Sequence, residues 1–492
     1  MAAERDLVAR IRDGRGVAIE EAGATTSYAT LLDDASRLAD ALRGQGVGPG
    51  TVVPVQGTAC GTTVTQIVAV LLTGAAYAPI DSRTPDAAVA AFARVCGASV
   101  VLGERRHSGH GVRWLDSADV LAGVLVGGGA LVTESVPEGT AYVIATSGTS
   151  GAPKGVVVPD SAVEAYLSWS MAEYRAERGY GAPLFTSLGF DLTVTSLLGP
   201  LVSGRRLVVL DPIRWPLDVA RQPGPFDGAS FVKLTPSQLD IVCRMMADLG
   251  VRSSAPVLVV GGEAVRGQAV ARWRAGFPEA EIVNEYGPSE AAVGCCRFTV
   301  PGDFAGDDVP IGTAPPGVVL SLGPLPTDHG PTHGELVIEG DQVATGYLVC
   351  RNDGGGGDGR GELVPFAARG GRRRYPSGDH VSLAPDGLFT YHGRIGREVK
   401  VNGFRVNLAA LETRLATFPG VLNAAVGQVD DGLTAHVVVT DPAITPKALR
   451  GHLRELFPVY ALPAEIAISH DIATTERGKL AVALPSTDPE SR

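Results

Sequence analysis

No run of the sequence approaches the ~20 consecutive apolar residues that a membrane-spanning helix needs. The first residues, Met1 to Arg12, carry charges of both signs and no apolar signal segment, so a cytoplasmic location is expected. Positive charge is also short: 42 Lys and Arg stand against 53 Asp and Glu, a net charge of -11. That argues against a nucleic-acid partner, whose phosphates call for a basic face. Cysteine is scarce: Cys60, Cys96, Cys243, Cys295, Cys296 and Cys350 form no C-x-x-C pair, and the nine histidines do not cluster near them. Neither a zinc site nor a disulfide framework is expected, and the thiols are read as reduced. There is no internal repeat.

What remains is 492 residues, 45% of them hydrophobic, too long for one ordinary core. Residues 28–43 space their apolar side chains at three and four, as an amphipathic helix does, and the glycines of Gly46-Val-Gly-Pro-Gly50 end it. Residues 51–55 read as a strand, 63–73 as a helix and 74–80 as a strand. Short apolar runs at 207–210 and 257–260 suit buried strands. Such alternation implies βα units and largely parallel sheets, an α/β fold. A glycine-rich stretch, 353–361, reads as a surface loop with no strand leading into it. A domain boundary is expected near Gly393-Arg-Ile-Gly396. It divides a large N-terminal domain of βα-layered sheets (1–395) from a small α+β C-terminal domain (396–492), which has a strand at 435–440 and a helix at 445–456.

The stretch Tyr142-Val-Ile-Ala-Thr-Ser-Gly-Thr-Ser-Gly-Ala-Pro-Lys-Gly-Val156 carries the most chemistry. An apolar strand runs into six small residues, Thr146, Ser147, Gly148, Thr149, Ser150 and Gly151, followed by Lys154. Glycines let a backbone approach phosphate oxygens closely, and hydroxyls and amides supply donors. It is not a Walker A loop, because Gly155 follows the lysine where a metal-holding Ser or Thr would stand.

This loop resembles the phosphate-binding signature of the adenylate-forming superfamily, which includes amino-acid adenylation domains of nonribosomal peptide synthetases, acyl-CoA ligases and luciferases. Further motifs follow in the family's order: Asn284-Glu-Tyr-Gly-Pro-Ser-Glu290, Gly334-Glu-Leu through Gly346-Tyr-Leu348, Tyr375-Pro-Ser-Gly-Asp379, Gly393 to Arg405, and Gly478-Lys479. Gly396 stands where the pattern usually has aspartate, and Asn407 where it has glutamate. The resemblance implies an ATP-dependent ligase that joins a substrate carboxylate to AMP, with Mg²⁺ as cofactor and a hinge between its domains. On that resemblance the loop residues bind the ATP phosphates, Glu290 helps hold Mg²⁺, Tyr286 stacks on adenine, Asp379 binds the ribose hydroxyls and Arg394 contacts ribose or phosphate. Lys479 is the catalytic residue, bridging the substrate carboxylate and the α-phosphate.

Phe190-Asp-Leu-Thr193 resembles the segment in which amino-acid-activating members set an aspartate against the substrate ammonium, the place of Asp191. The other pocket positions are then Leu192, Thr195, Lys233, Val259, Gly261, Glu285, Val293 and Gly294, with Lys479. Most are small or apolar. Lys233 sits inside an apolar run, so it is expected to be paired, and facing Glu285 it would set a donor beside an acceptor. A primary carboxamide carries the complementary pair. The set resembles asparagine-activating pockets; aspartate pockets share Asp, Leu, Thr and Lys but commonly carry histidine where Glu285 stands. Asparagine is the expected substrate, with aspartate or a modified asparagine behind it. An acyl- or aryl-CoA ligase is the other alternative, and Asp191 argues against it. No Gly-Gly-x-Ser carrier attachment motif occurs and thirteen residues follow Lys479, so a separate phosphopantetheinylated carrier protein is the expected acceptor. Some relatives also need a small MbtH-like helper.

Overall fold

The computed structural model describes residues 6–103, 108–122, 132–147, 153–325, 330–350, 361–396, 398–401, 403–429 and 432–469. Helix Tyr28–Arg43 begins at Ser27, whose side chain accepts a hydrogen bond from the Thr30 amide and so satisfies a free N–H of the first turn. Its apolar stripe, Leu31, Ala35, Leu38 and Leu42, is buried. Helix Gly61–Thr73 stops at Gly74, which takes φ 88°, a left-handed cap that a side chain would oppose.

Helix Tyr28–Arg43 packs on the outside of helix Gly61–Thr73, which itself packs on a nine-stranded sheet. One half is parallel, pairing Thr140–Ser147, Ala76–Asp81, Val52–Gly57, Val100–Gly103 and Val112–Leu115 in turn. The other half is antiparallel, continuing from Thr140–Ser147 through Pro153–Pro159 and Gly346–Cys350 to Gly361–Pro365. A second sheet sets Val232–Leu234, Val257–Gly261 and Glu281–Tyr286 parallel, with helices Pro236–Leu249 and Gly267–Gly276 as the crossovers. A third pairs Gly181–Leu184, Arg206–Val209 and Val17–Glu21 in parallel.

The expectation of largely parallel sheets fails in the later part of the chain. The five-stranded sheet of Val318–Gly323, His333–Gly340, Arg372–Leu383, Phe389–Arg394 and Ala368–Arg369 is antiparallel throughout. No described helix lies between residues 292 and 407, so these strands have no helical crossover and several return by direct hairpins.

The last part of the chain has its own small core. Helices Leu408–Ala416 and Pro446–Arg454 pack against the sheet of Val421–Val429, Gly432–Val439 and Glu465–Ser469, burying Leu411, Leu415, Val426, Val437, Leu449 and Leu453 together. The fold is thus α/β, with a large sheet-built part and a smaller α+β part at the C-terminus. Residues 470–492, which include Lys479, lie outside the described residues, as does most of the glycine-rich stretch 353–361.

Candidate active site

The parallel strands of the second sheet explain why four separated residues converge. Lys233 is in register with Val259, and Gly261 with Glu285. Side chains alternate across a strand, so Val259 and Gly261, two residues apart, share a face, and their partners Lys233 and Glu285 share it with them. Gly261 contributes no side chain between the two. Lys233 and Glu285 therefore meet across the intervening strand.

They meet as a buried ion pair, Lys233 1% exposed and Glu285 4%. The remaining hydrogens of the ammonium go to Thr195 Oγ1 at 2.7 Å and Tyr166 Oη at 2.9 Å. The carboxylate accepts further bonds at Oε2 from Tyr166, at 3.0 Å, and from Tyr174. Burial lowers the affinity of Lys233 for its proton, and the Glu285 charge and hydrogen bond oppose that shift. Burial, then the charge of Glu285, pushes both tyrosine hydroxyls well above their ordinary range, so they remain protonated donors. The expected donor beside an acceptor is thus present in altered form. Lys233 has spent its three hydrogens inside the protein, and the acceptor Glu285 is the member with capacity left.

Asp191 sits at the N-terminus of helix Leu192–Val202, yet its side chain makes no capping bond. It is buried, and its Oδ2 accepts no hydrogen bond from any described residue. Burial raises its pKa above the ordinary carboxylate range, against the lowering effects of the Ser289 hydroxyl and the charges of Lys233 and Lys400. A buried carboxylate oxygen without a partner is costly unless a ligand supplies the cation.

Asp191, Leu192, Lys233, Gly261, Glu285 and Val293 line one cavity of about 240 Å³. Thr195, Val259 and Gly294 stand behind this wall. Val293 follows Ala292, and both have left-handed backbones, φ 76° and 49°. For a β-branched residue that conformation is costly, and such strain concentrates at functional sites.

A second cavity, about 610 Å³, adjoins the first, and Gly262, Glu285, Arg394 and Lys400 border both. Tyr286 lines it and donates its hydroxyl to Asp379. Asp379 is also ion-paired with Arg394 at 2.9 Å, and Arg394 reaches the Ser377 carbonyl at 3.0 Å. Lys400 Nζ stands 5.7 Å from the Tyr286 ring centroid. The sequence motifs assign Lys400 no role.

The phosphate-loop segment is a hairpin, in which Thr146 faces Lys154 and Ser147 faces Pro153 across the strands. Its tip, with Gly148, Thr149, Ser150 and Gly151, lies outside the described residues. Thr146 lines the first cavity, and its buried hydroxyl bonds to no described residue. Lys154 Nζ lies 3.8 Å from the centroid of the Tyr347 ring, whose hydroxyl donates to Glu290 Oε1 at 2.5 Å. Glu290 is fully buried. Among the described residues no group of three His, Cys, Asp or Glu could hold a metal. A single carboxylate next to a phosphate loop still fits Mg²⁺, which takes one or two carboxylates and completes its shell with phosphate oxygens and water.

Tyr166 and Tyr174 were also missed. They are eight residues apart along helix Asp160–Glu173 and its C-cap, a spacing that puts both on one face, and this was the signal available.

A strand-to-strand hairpin, a carboxylate–arginine–tyrosine cluster and a mainly apolar pocket that holds Asp191 and Glu285 fit an adenylating ligase. The chain belongs to the AMP-binding enzyme family, whose model matches residues 8–348. It is similar to tyrocidine synthase 3 of Brevibacillus parabrevis, 31% identical over 93% of this chain and 7% of that protein. It is also similar to the isonitrile lipopeptide synthase of Mycobacterium tuberculosis, 33% identical over 96% of this chain and 18% of that protein. The chain thus spans a small part of these relatives' length. Among solved structures it resembles PA1221, an NRPS protein containing adenylation and PCP domains, with a TM-score of 0.76, 26% identity, and coverage of 97% of this chain and 83% of that one.

Proposed function

We propose that the enzyme activates L-asparagine as asparaginyl-AMP, releasing pyrophosphate, and passes the acyl group to the phosphopantetheine thiol of a carrier protein. One observation carries the choice of substrate. Next to an unpartnered buried Asp191 oxygen lies a lysine–glutamate pair whose lysine is saturated and whose glutamate lines the cavity. Asp191 takes the α-ammonium. Glu285 accepts from a neutral side-chain NH₂ and repels a second carboxylate. Aspartate or a modified asparagine follows as alternative. An acyl- or aryl-CoA ligase has no cation to offer Asp191.

In the reaction a substrate carboxylate oxygen bonds to the α-phosphorus while the bond to the pyrophosphate oxygen breaks. Thr146 and Ser147, with Gly148, Thr149, Ser150 and Gly151 of the tip and with Lys154, cradle phosphate oxygens and offset their charge. Glu290 would hold Mg²⁺, which neutralises charge on the departing pyrophosphate. Asp379 binds the ribose hydroxyls, a role that suits a carboxylate because it accepts two bonds at once. Tyr286 stacks on adenine, and Arg394 contacts ribose or phosphate. Lys479 bridges the carboxylate and α-phosphate in the transition state. The separate core of the C-terminal part supports a division at residue 395 with a hinge there, so that the small domain (396–492) moves between activation and transfer. Amino-acid-dependent ATP–pyrophosphate exchange tests the assignment: asparagine should give the highest kcat/KM of the protein amino acids, and exchange indifferent to the amino acid would refute it.

A further inference from the structure

We propose that Tyr166 and Tyr174 are positioning residues that set side-chain specificity through Glu285, an inference that rests on the reading of this cavity as the amino-acid site. Neither tyrosine lines the cavity. Both lie behind it, fully buried, with hydroxyls on the one carboxylate oxygen that Lys233 does not contact.

An ionised carboxylate offers about four acceptor positions, two on each oxygen. Tyr166 and Tyr174 fill both on Oε2, and Lys233 fills one on Oε1. One acceptor position is left, on Oε1. An ammonium has three hydrogens, and those of Lys233 go to Glu285, Tyr166 and Thr195. The pair therefore presents the ligand with a single acceptor and no free cation. That arrangement selects a neutral side chain bearing a hydrogen-bond donor, and it denies a ligand carboxylate the lysine it would otherwise seek.

The tyrosines make this state persist. Without them Oε2 would carry two unfilled positions in a buried site, and the carboxylate would turn to fill them, exposing a different face to the ligand. Their rings are held by edge-on packing, Tyr166 against Trp169 with centroids 5.4 Å apart and Trp169 against Tyr174 at 6.0 Å. Phe231 packs on Tyr174 at 5.7 Å. The hydroxyls are thus delivered from a rigid aromatic layer.

The test is ATP–pyrophosphate exchange with asparagine and aspartate, measured for wild type, Tyr166→Phe, Tyr174→Phe, Glu285→Gln and the double variant Tyr174→Phe with Glu285→Gln. Each Tyr→Phe change should raise KM for asparagine about tenfold and cut the asparagine-to-aspartate ratio by about tenfold, with a far smaller change in kcat, because the tyrosines are remote from the reacting atoms. The ratio is measured within one preparation, so it reads specificity even where a variant is partly unfolded. In the double variant, Tyr174→Phe should add little to the effect of Glu285→Gln, since the tyrosine acts through that carboxylate. An unchanged ratio in both single variants, or losses that simply multiply in the double, would overturn the proposal. A wild type that prefers another amino acid would refute the asparagine reading alone; the tyrosines are then judged by the same ratio between that amino acid and its runner-up.

Discussion

Gly294 lies so close to the Glu285 carboxylate that a β-carbon added to it would overlap Cδ and stand 2.7 Å from Oε1. Gly294 lies outside the cavity lining, so its contribution is the space it leaves. Gly294→Ala should displace the carboxylate at a strain cost of about 1–3 kcal/mol and lower kcat/KM for asparagine roughly tenfold or more. Steady-state exchange kinetics with a thermal melt as control would check this. Unchanged kinetics would mean that Glu285 does not contact the substrate.

Glu285→His should move the preference towards aspartate. A neutral or cationic imidazole removes the repulsion of a second carboxylate and releases Lys233 from its ion pair, so a ligand carboxylate can take the place of Glu285. kcat/KM for asparagine falls and that for aspartate rises, both measured near neutral pH where aspartate is ionised. A polar pocket can reject a mismatched analogue by several kcal/mol, so the change in ratio should be large.

Acidity should weaken amino-acid binding earlier than an ordinary aspartate would predict. Asp191 must be ionised to hold the α-ammonium, and burial raises its pKa. As pH falls through that raised value the carboxylate protonates and kcat/KM drops, so the acid limb should lie above the ~3.9 of an exposed aspartate. Asparagine without its ammonium, succinamic acid, should be a poor substrate at every pH. Removing one partner of a desolvated charge pair costs about 3–5 kcal/mol. Activation of succinamic acid as efficient as that of asparagine would remove Asp191 from the site.

Lys479→Ala should leave the fold intact and lower kcat for adenylate formation on the order of a hundredfold or more, because an ammonium there acts on transition-state charge. Single-turnover measurement of adenylate formation reads it directly.

Part of the fold and of the candidate site's geometry was legible in the sequence because strand and helix periodicities are local. Helix Tyr28–Arg43 follows from its apolar spacing and the glycines that end it. The shared face of Lys233, Val259, Gly261 and Glu285 follows once the motifs fix which residues belong to the pocket. The tyrosines did not emerge, because their partner Glu285 is 119 residues from Tyr166 and 111 from Tyr174, and nothing local to the helix announces a carboxylate on its buried face. The saturation of Lys233 escaped for the same reason: its other two acceptors are Thr195 and Tyr166, so pairing it with Glu285 alone leaves two hydrogens to spare. The antiparallel sheet of the later part escaped because buried apolar runs do not reveal strand direction.

The pocket is proposed to read a neutral amide next to an α-ammonium. ATP–pyrophosphate exchange across the protein amino acids, with kcat/KM for each, measures that preference. Asparagine should rank first, with aspartate at least about tenfold lower, since a ligand carboxylate meets Glu285 rather than a free lysine. Aspartate equal to or above asparagine would contradict it.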